Sequence, residues 1–194
     1  MWKILMGSTL CAVAVSAAWF DVRERRLPNP LTVGALALAL LLRAPAGLDA
    51  VAGGALGALL GFGLALPLFL VGGLGGGDVK LLAAVGGFLG PRDLWFALLV
   101  MALVGGVMAV AVIIRYRAFA QTAINLRAIL ATFGARTFSG WRGEGSNAAV
   151  TLETPGVLTV PYGVAIGAGA LTAWFVYGAN PDWSLTATLA SWLT

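Results

Sequence analysis

Histidine is absent from this chain of 194 residues, cysteine occurs once, and charged residues make up only 10% of it. Without histidine there is no Ser-His-Asp triad and no His-Glu-x-x-His zinc site. The single cysteine, Cys11, excludes an intramolecular disulfide and a zinc cluster. We therefore expect neither a metal nor another cofactor, and acid–base chemistry must come from carboxylates, lysine or tyrosine.

Hydrophobic sequence is what the chain has in abundance. Hydrophobic residues make up 60% of it and the mean hydropathy is +0.93, whereas soluble domains carry roughly 25% charged residues. The pattern predicts an all-α polytopic membrane protein: one membrane-embedded domain over residues 1–194 with about six transmembrane helices. The apolar runs are Ile4–Phe20, Leu31–Leu42, Ala50–Val71, Val79–Leu89, Leu94–Ile114 and Gly156–Gly178.

Two of these runs fall short of the roughly 17–25 residues of a transmembrane helix, whereas the first, with 17 residues, is just adequate. The second reaches that length only by including Asn29 and Pro30 at one end and residues 43–46 at the other. The fourth reaches it only by absorbing residues 72–80. This extension would bring Asp78 to membrane depth, so the fourth segment is the one of greatest functional interest.

The glycines fall into two groups. One group repeats every four positions and predicts close helix packing: Gly53, Gly57 and Gly61 in the third run, Gly163 and Gly167 in the sixth. In the other group, glycine occupies five of the six positions from 72 to 77, a density that helical spacing does not explain. There we expect irregular backbone, which at membrane depth is tolerated beside protein or water.

The basic residues predict an orientation. If the loop after Asp21 is cytoplasmic, nine of the twelve lysines and arginines lie on the cytoplasmic side, as the positive-inside rule requires. Lys3, Arg43 and Arg92 then lie outside, as do both termini. A cytoplasmic loop over residues 115–155 is either a solvated linker or a flap over the site. A cleaved secretory signal beginning near Lys3 is a less favoured alternative, because its removal would release the segment that anchors Asp21.

Asp21 and Asp78 are the candidate functional residues among the eight acidic ones. Asp78 stands between two apolar runs, and a charge at such a position costs about 2.5–3.5 kcal/mol on insertion scales. Asp21 closes the first run, and the predicted orientation puts both aspartates on the same side of the membrane. For the other six we expect solvated positions or a surface ion pair: Glu24, Asp49, Asp93, Glu144, Glu153 and Asp182.

A pair of carboxylates that share one proton can hydrolyse a peptide bond with water. Asp21 is predicted at the negative end of the first helix and Asp78 near the positive end of the fourth, which favours Asp78 as base and Asp21 as proton donor. The residues thus predict an aspartic protease at the bilayer surface. A transporter or channel with Asp78 in a broken-helix ion site is the alternative, and a non-catalytic assembly subunit is a third interpretation.

At these residues the sequence resembles the type IV prepilin peptidases, a family of Gly-x-Gly-Asp intramembrane aspartic proteases. The resembling segments are Asp21 through Pro28-Asn29, Gly75-Gly76-Gly77-Asp78-Val79-Lys80, and Val160-Pro161-Tyr162-Gly163. The resemblance implies that Asp21 and Asp78 are the two catalytic aspartates. Residues that would support them or bind substrate are Gly75, Gly77, Lys80, Pro161, Tyr162 and Gly163; the Lys80 side chain is expected to extend to the membrane surface.

The resemblance also implies a substrate and a location. The substrate would be a prepilin whose short basic leader precedes an apolar helix, cut after a glycine at the cytoplasmic face of the bacterial inner membrane. Membrane lipids and the pilus assembly machinery are the other expected partners; the scattered basic residues do not indicate nucleic-acid binding. Larger family members carry an insert with paired Cys-x-x-Cys motifs and methylate the new amino terminus. Because nothing here matches that insert, we expect cleavage without methylation. This short form resembles the branch of the family that serves tight-adherence (Flp-type) pili.

Overall fold

The computed structural model describes residues 2–70, 73–117 and 161–178, and the regular structure in these ranges is helical. Predictions for the 115–155 loop beyond Arg117, for Gly72 and for the tail after Gly178 fall outside the described residues. The prediction of an all-α polytopic fold is confirmed. The helices are α1 (Trp2–Glu24), α2 (Asn29–Arg43), α3 (Leu48–Leu70), α4 (Gly76–Leu89), α5 (Pro91–Tyr116) and α6 (Tyr162–Tyr177), with a 3-10 turn at Ala44–Ala46.

Among the described residues, four helical segments are long and apolar enough to cross a membrane. They are Lys3–Glu24, Asn29–Ala46, Leu48–Leu70 and Pro91–Tyr116. The second span includes the extensions at both ends that its length required. Helix α6 is apolar and has 16 described residues. Within the described ranges the chain is therefore a membrane protein with four span-length helices and two shorter ones.

Helix α4 differs from the prediction. It has 14 residues and begins at Gly76, so it does not reach span length by absorbing residues 72–80. Its side chains from Leu81 to Leu89 are buried, and it contacts each of the other five helices. A helix enclosed by protein presents little surface to lipid, so its length need not match the hydrocarbon thickness. The short fourth segment is thus the centre of the bundle.

Glycines allow α3 and α4 to pack backbone against backbone. A methyl group on Gly57 would overlap the Gly86 carbonyl oxygen, and one on Gly61 would overlap the Leu82 carbonyl oxygen. On the other side of the bundle, a methyl on Gly167 of α6 would lie 3.3 Å from the backbone oxygen of Ala14 in α1. These contacts confirm the predicted packing role for Gly57, Gly61 and Gly167.

The glycine-rich segment before α4 is less irregular than predicted. The backbone is non-helical at residues 73–75, but Gly76 and Gly77 form the first turn of α4. The expectation of irregular backbone is therefore wrong for these two. Gly77 serves a different purpose: a Cβ at this position would lie 2.8 Å from the Cβ of Leu27. Glycine here lets the α1–α2 connection lie directly on the start of α4.

Candidate active site

Asp21 lies in the last turn of α1, where its side chain contacts the beginning of α6. It is 9% exposed, and its Oδ2 accepts a hydrogen bond of 2.5 Å from the backbone N–H of Gly163. Gly163 is the second residue of α6, and backbone N–H groups in a first helical turn have no acceptor within their own helix. The Asp21 carboxyl therefore caps α6 from outside.

This contact revises the electrostatic argument for Asp21. Its carboxyl does lie at the negative end of α1, as predicted, but it also faces the positive amino-terminal end of α6. The two helix ends act in opposite directions on the same carboxyl. The dipole of α1 alone consequently does not support the predicted role of Asp21 as proton donor.

The segment Pro161-Tyr162-Gly163 fits tightly between α1 and α5. A Cβ at Gly163 would lie 2.9 Å from the Oδ2 and from the Cβ of Asp21, so only glycine permits this approach. A Cβ at Gly105 of α5 would lie 3.5 Å from the Tyr162 ring. Gly163 thus makes room for the start of α6 beside the aspartate, whereas a side chain at Gly105 would make only an ordinary contact.

Asp78 is the third residue of α4 and its carboxyl folds back over the start of that helix. Its Oδ2 accepts a hydrogen bond of 3.2 Å from the backbone N–H of Gly75. The Gly75 carbonyl in turn accepts from the backbone N–H groups of Asp78 and Val79, at 3.0 and 3.2 Å. A negative side chain in the first turn is favourable, because the helix presents its positive end there.

The structure brings the two aspartates together. Helices α1 and α4 contact each other, and the charges of Asp21 and Asp78 interact across that contact. The Oδ2 of each carboxyl accepts a hydrogen bond from a glycine N–H: Gly163 for Asp21 and Gly75 for Asp78. In the ranges that the structure describes, no group of three or more histidine, cysteine, aspartate and glutamate side chains is placed to hold a metal ion.

Lys80 connects the segment that begins with Asp21 to the segment that contains Asp78. Its Nζ donates a hydrogen bond of 2.7 Å to Asn29 Oδ1, and the side chain remains exposed. Asn29 is the first residue of α2. Together with the contact of Leu27 on Gly77, this bond attaches the α1–α2 connection to the helix that carries Asp78.

Arg43 and Asp93 are the residues that sequence reasoning misplaced. Arg43 was counted among outer-loop charges, but it is the last residue of α2 and fully buried. Asp93 was expected to be a solvated turn residue, yet it is half-buried in the first turn of α5 and its charge interacts with that of Arg43. No local signal marks either residue, because their neighbours in space are distant in sequence.

The chain is a helical membrane protein with a pair of interacting aspartates. One aspartate lies at the end of α1 and the other at the start of α4. A family model described as the type IV leader peptidase family matches residues 8–110, more than half of the chain. The chain therefore belongs to this family. The match includes Asp21 and Asp78 but ends before α6. The contact of Asp21 with Gly163 is therefore seen in the structure and lies outside the family match.

Curated relatives resemble part of the chain. It is 33% identical over 120 residues to a prepilin leader peptidase/N-methyltransferase of Aeromonas hydrophila, covering 58% of this chain and 41% of the relative. It is 32% identical over 116 residues to the protein of the same name from Neisseria gonorrhoeae, covering 56% and 41%. The match thus spans less than half the length of these relatives. No solved structure matches the chain.

Proposed function

We propose that the chain is an aspartic endopeptidase that removes the short basic leader of type IV prepilins. The observation that carries the proposal is the interacting pair of Asp21 and Asp78, each held by a glycine N–H at a helix end. Membership of the type IV leader peptidase family supports it, as do the names of the curated relatives.

The proposed mechanism uses water and one shared proton. The ionised carboxylate takes a proton from water, whose oxygen attacks the scissile carbonyl carbon, while the protonated carboxyl gives its proton to the carbonyl oxygen. When the resulting tetrahedral intermediate collapses, the C–N bond breaks and a proton passes to the departing amine. Our sequence prediction of Asp78 as base and Asp21 as donor is tested by the pH–rate profiles of the two Asn variants.

The supporting residues have proposed roles that follow from their contacts. Gly75 and Gly163 supply the N–H groups that orient the two carboxyls. Gly77 and Lys80 attach the α1–α2 connection to α4. Pro161 and Tyr162, which are half-buried and directly precede Gly163, are proposed to line the approach of the substrate strand.

The setting of the reaction is part of the proposal. We place both termini outside and the aspartates at the cytoplasmic face of the bacterial inner membrane, following the positive-inside distribution. Membrane lipids and the prepilin are the direct partners, and the pilus assembly machinery receives the product. We propose no methyltransferase activity, because the single cysteine cannot form the paired Cys-x-x-Cys motifs expected of the methylating members.

The direct test mixes the purified chain in detergent with a prepilin that carries its leader. The expected result is loss of a leader-sized fragment and a new amino terminus after the glycine, identified by mass spectrometry. Absence of cleavage by the wild type would contradict the proposal. Ion uptake by proteoliposomes that depends on Asp78 and not on Asp21 would instead support the transporter alternative.

Replacing Gly163 with alanine is expected to lower the cleavage rate while the fold persists. The methyl group would lie 2.9 Å from Asp21 Oδ2 and displace the carboxyl, and a misplacement of about 1 Å can cost roughly 10²-fold in rate. Gly106→Ala in α5 is the matched control, because nothing lies within 4 Å of its Cβ position. Equal rates for the two variants would show that Gly163 does not position Asp21.

Replacing Lys80 with methionine is expected to slow cleavage by a smaller factor. The variant loses the bond to Asn29, and a hydrogen bond of about 0.5–1.5 kcal/mol corresponds to roughly 2- to 10-fold in rate. Asn29→Ala should have the same effect. Because both substitutions remove one interaction, the double variant should be no slower than either single one; additive losses would contradict this role of the bond.

A further inference from the structure

Arg43 is a buried cation at the end of the bundle remote from the aspartates. Its side chain is 0% exposed. Its guanidinium donates three hydrogen bonds to backbone carbonyls: Nε to Gly87 at 2.9 Å, Nη2 to Phe88 at 3.0 Å and Nη1 to Ala50 at 3.1 Å. One arginine of α2 thereby joins the last turn of α4 to the first turn of α3.

Two of the acceptors, the carbonyls of Gly87 and Phe88, need a donor from outside their helix. The last four carbonyls of a helix have no N–H partner within it, and they form its negative end. Gly87 and Phe88 lie in this last turn of α4. The half-buried Asp93 adds a favourable charge interaction with Arg43. The guanidinium is thus matched to the negative end of α4.

The surrounding backbone is shaped to receive this side chain. A Cβ on Gly54 of α3 would lie 2.6 Å from Arg43 Cδ, and one on Gly90 would lie 3.3 Å from Nη2. Gly90 also has a φ of +83°, which L side chains rarely adopt. Because both positions are glycine, the Arg43 side chain can lie directly against the backbone of Gly54 and Gly90.

Helices α2 and α4 are joined at both ends. At the end near the aspartates, Asn29 of α2 accepts from Lys80 of α4. At the far end, Arg43 of α2 donates to Gly87 and Phe88 of α4. The two helices run in the same direction and have 15 and 14 residues. The hydrogen bonds to α2 at both ends therefore restrain α4 against movement along its axis.

We propose that Arg43 is a positioning residue for Asp78, an inference that rests on the proposed peptidase function. Asp78 lies nine residues before Gly87, about 13 Å along a helix that rises 1.5 Å per residue. A helix transmits an axial shift along its whole length, so the bonds of Arg43 at one end set the height of the Asp78 carboxyl relative to Asp21 at the other.

The first test compares kcat, KM and the pH–rate profile of Arg43→Met, Arg43→Lys and Arg92→Lys. Arg43→Met should lower kcat about 10- to 100-fold with little change in KM, because a misplacement of about 1 Å has effects of this size. Its pH–rate profile should shift, since the coupling of two carboxyls depends on their separation. Arg43→Lys should recover part of the rate, because an ammonium can still donate to carbonyls. Arg92→Lys, at an exposed arginine, should match the wild type.

A purely stabilising role for Arg43 predicts a different result. Arg43→Met would then unfold at a lower temperature, but its kcat per folded molecule and its pH–rate profile would equal those of the wild type, and the inference would be overturned. If Arg43→Met does not fold, Gly54→Ala replaces it, because the methyl displaces the guanidinium and leaves the charge in the protein. Gly63→Ala is its control on the same helix, with nothing within 4 Å.

The second test does not depend on peptidase activity. In a Cys11→Ser background, Asn29→Cys and Lys80→Cys are joined by a bismaleimide of fixed length, with and without Arg43→Met. Because these positions lie at the opposite end of α2 and α4 from Arg43, a changed yield of crosslink indicates an axial shift of α4. An unchanged yield contradicts the inference. Failure of the wild type to cleave prepilin would remove the proposed function, yet the crosslink would still show whether Arg43 positions α4.

Discussion

Asp78→Asn is expected to reduce the rate of leader cleavage by about 10²- to 10⁴-fold, the contribution typical of a positioned acid or base. Asparagine preserves the size of the side chain and can still accept from the Gly75 N–H, so the start of α4 should keep its geometry. The amide neither takes a proton from water nor carries one to the substrate. Cleavage is measured from the loss of full-length prepilin under single-turnover conditions.

Asp21→Asn should cause a loss of similar size, and the double variant should be little slower than either single one, because the two carboxyls act as a unit. Glu24→Gln is the matched control: Glu24 is exposed and lies one turn beyond Asp21 in α1. Near wild-type cleavage by Asp78→Asn, with cleavage also retained by Asp21→Asn, would contradict the dyad and support a non-catalytic role in assembly.

Gly57→Ala is expected to destabilise the protein by about 1–3 kcal/mol or more, the range for overpacking a close-packed site. The added methyl would overlap the Gly86 carbonyl and lie 2.8 Å from Gly90 Cα. Both contacts are with backbone, so no flexible side chain can move away, and α3 must separate from α4. The measurement is the midpoint temperature of thermal unfolding in detergent, with tryptophan fluorescence as the signal.

Gly63→Ala on the same helix should behave in the opposite way. Nothing lies within 4 Å of its Cβ position, and alanine is favoured over glycine inside a helix by up to about 1 kcal/mol. The control should therefore unfold at the same temperature as the wild type or slightly higher. A midpoint for Gly57→Ala as high as that of Gly63→Ala would show that the contact between α3 and α4 tolerates separation.

Features that depend on composition and spacing could be predicted from the sequence. Apolar runs located the helices, and the second run extends to Asn29 and Ala46 as its shortness required. The four-residue repeat of Gly57 and Gly61 predicted a close helix contact, which α4 supplies. Asp21 and Asp78 were singled out because charge is rare in such a chain, and the structure brings them together.

Features that depend on contacts between distant segments could not be predicted. Arg43 follows an apolar run and resembles a loop residue, yet its acceptors Gly87 and Phe88 lie 44 and 45 positions away. Gly163 was assigned both to packing and to a supporting role, but nothing in its local sequence indicates a bond to Asp21. The short length of α4 was misinterpreted for the same reason, since enclosure by other helices has no signature within the segment itself.

The hydrogen bond between Asp21 and Gly163 joins residues 142 positions apart. Ribosomes add residues in order, so α1 enters the membrane long before α6 has been made. During that interval the carboxyl lacks the partner that fixes its orientation. Under the proposed function, a nascent chain would therefore remain inactive until α6 has been translated and delivered to the bilayer.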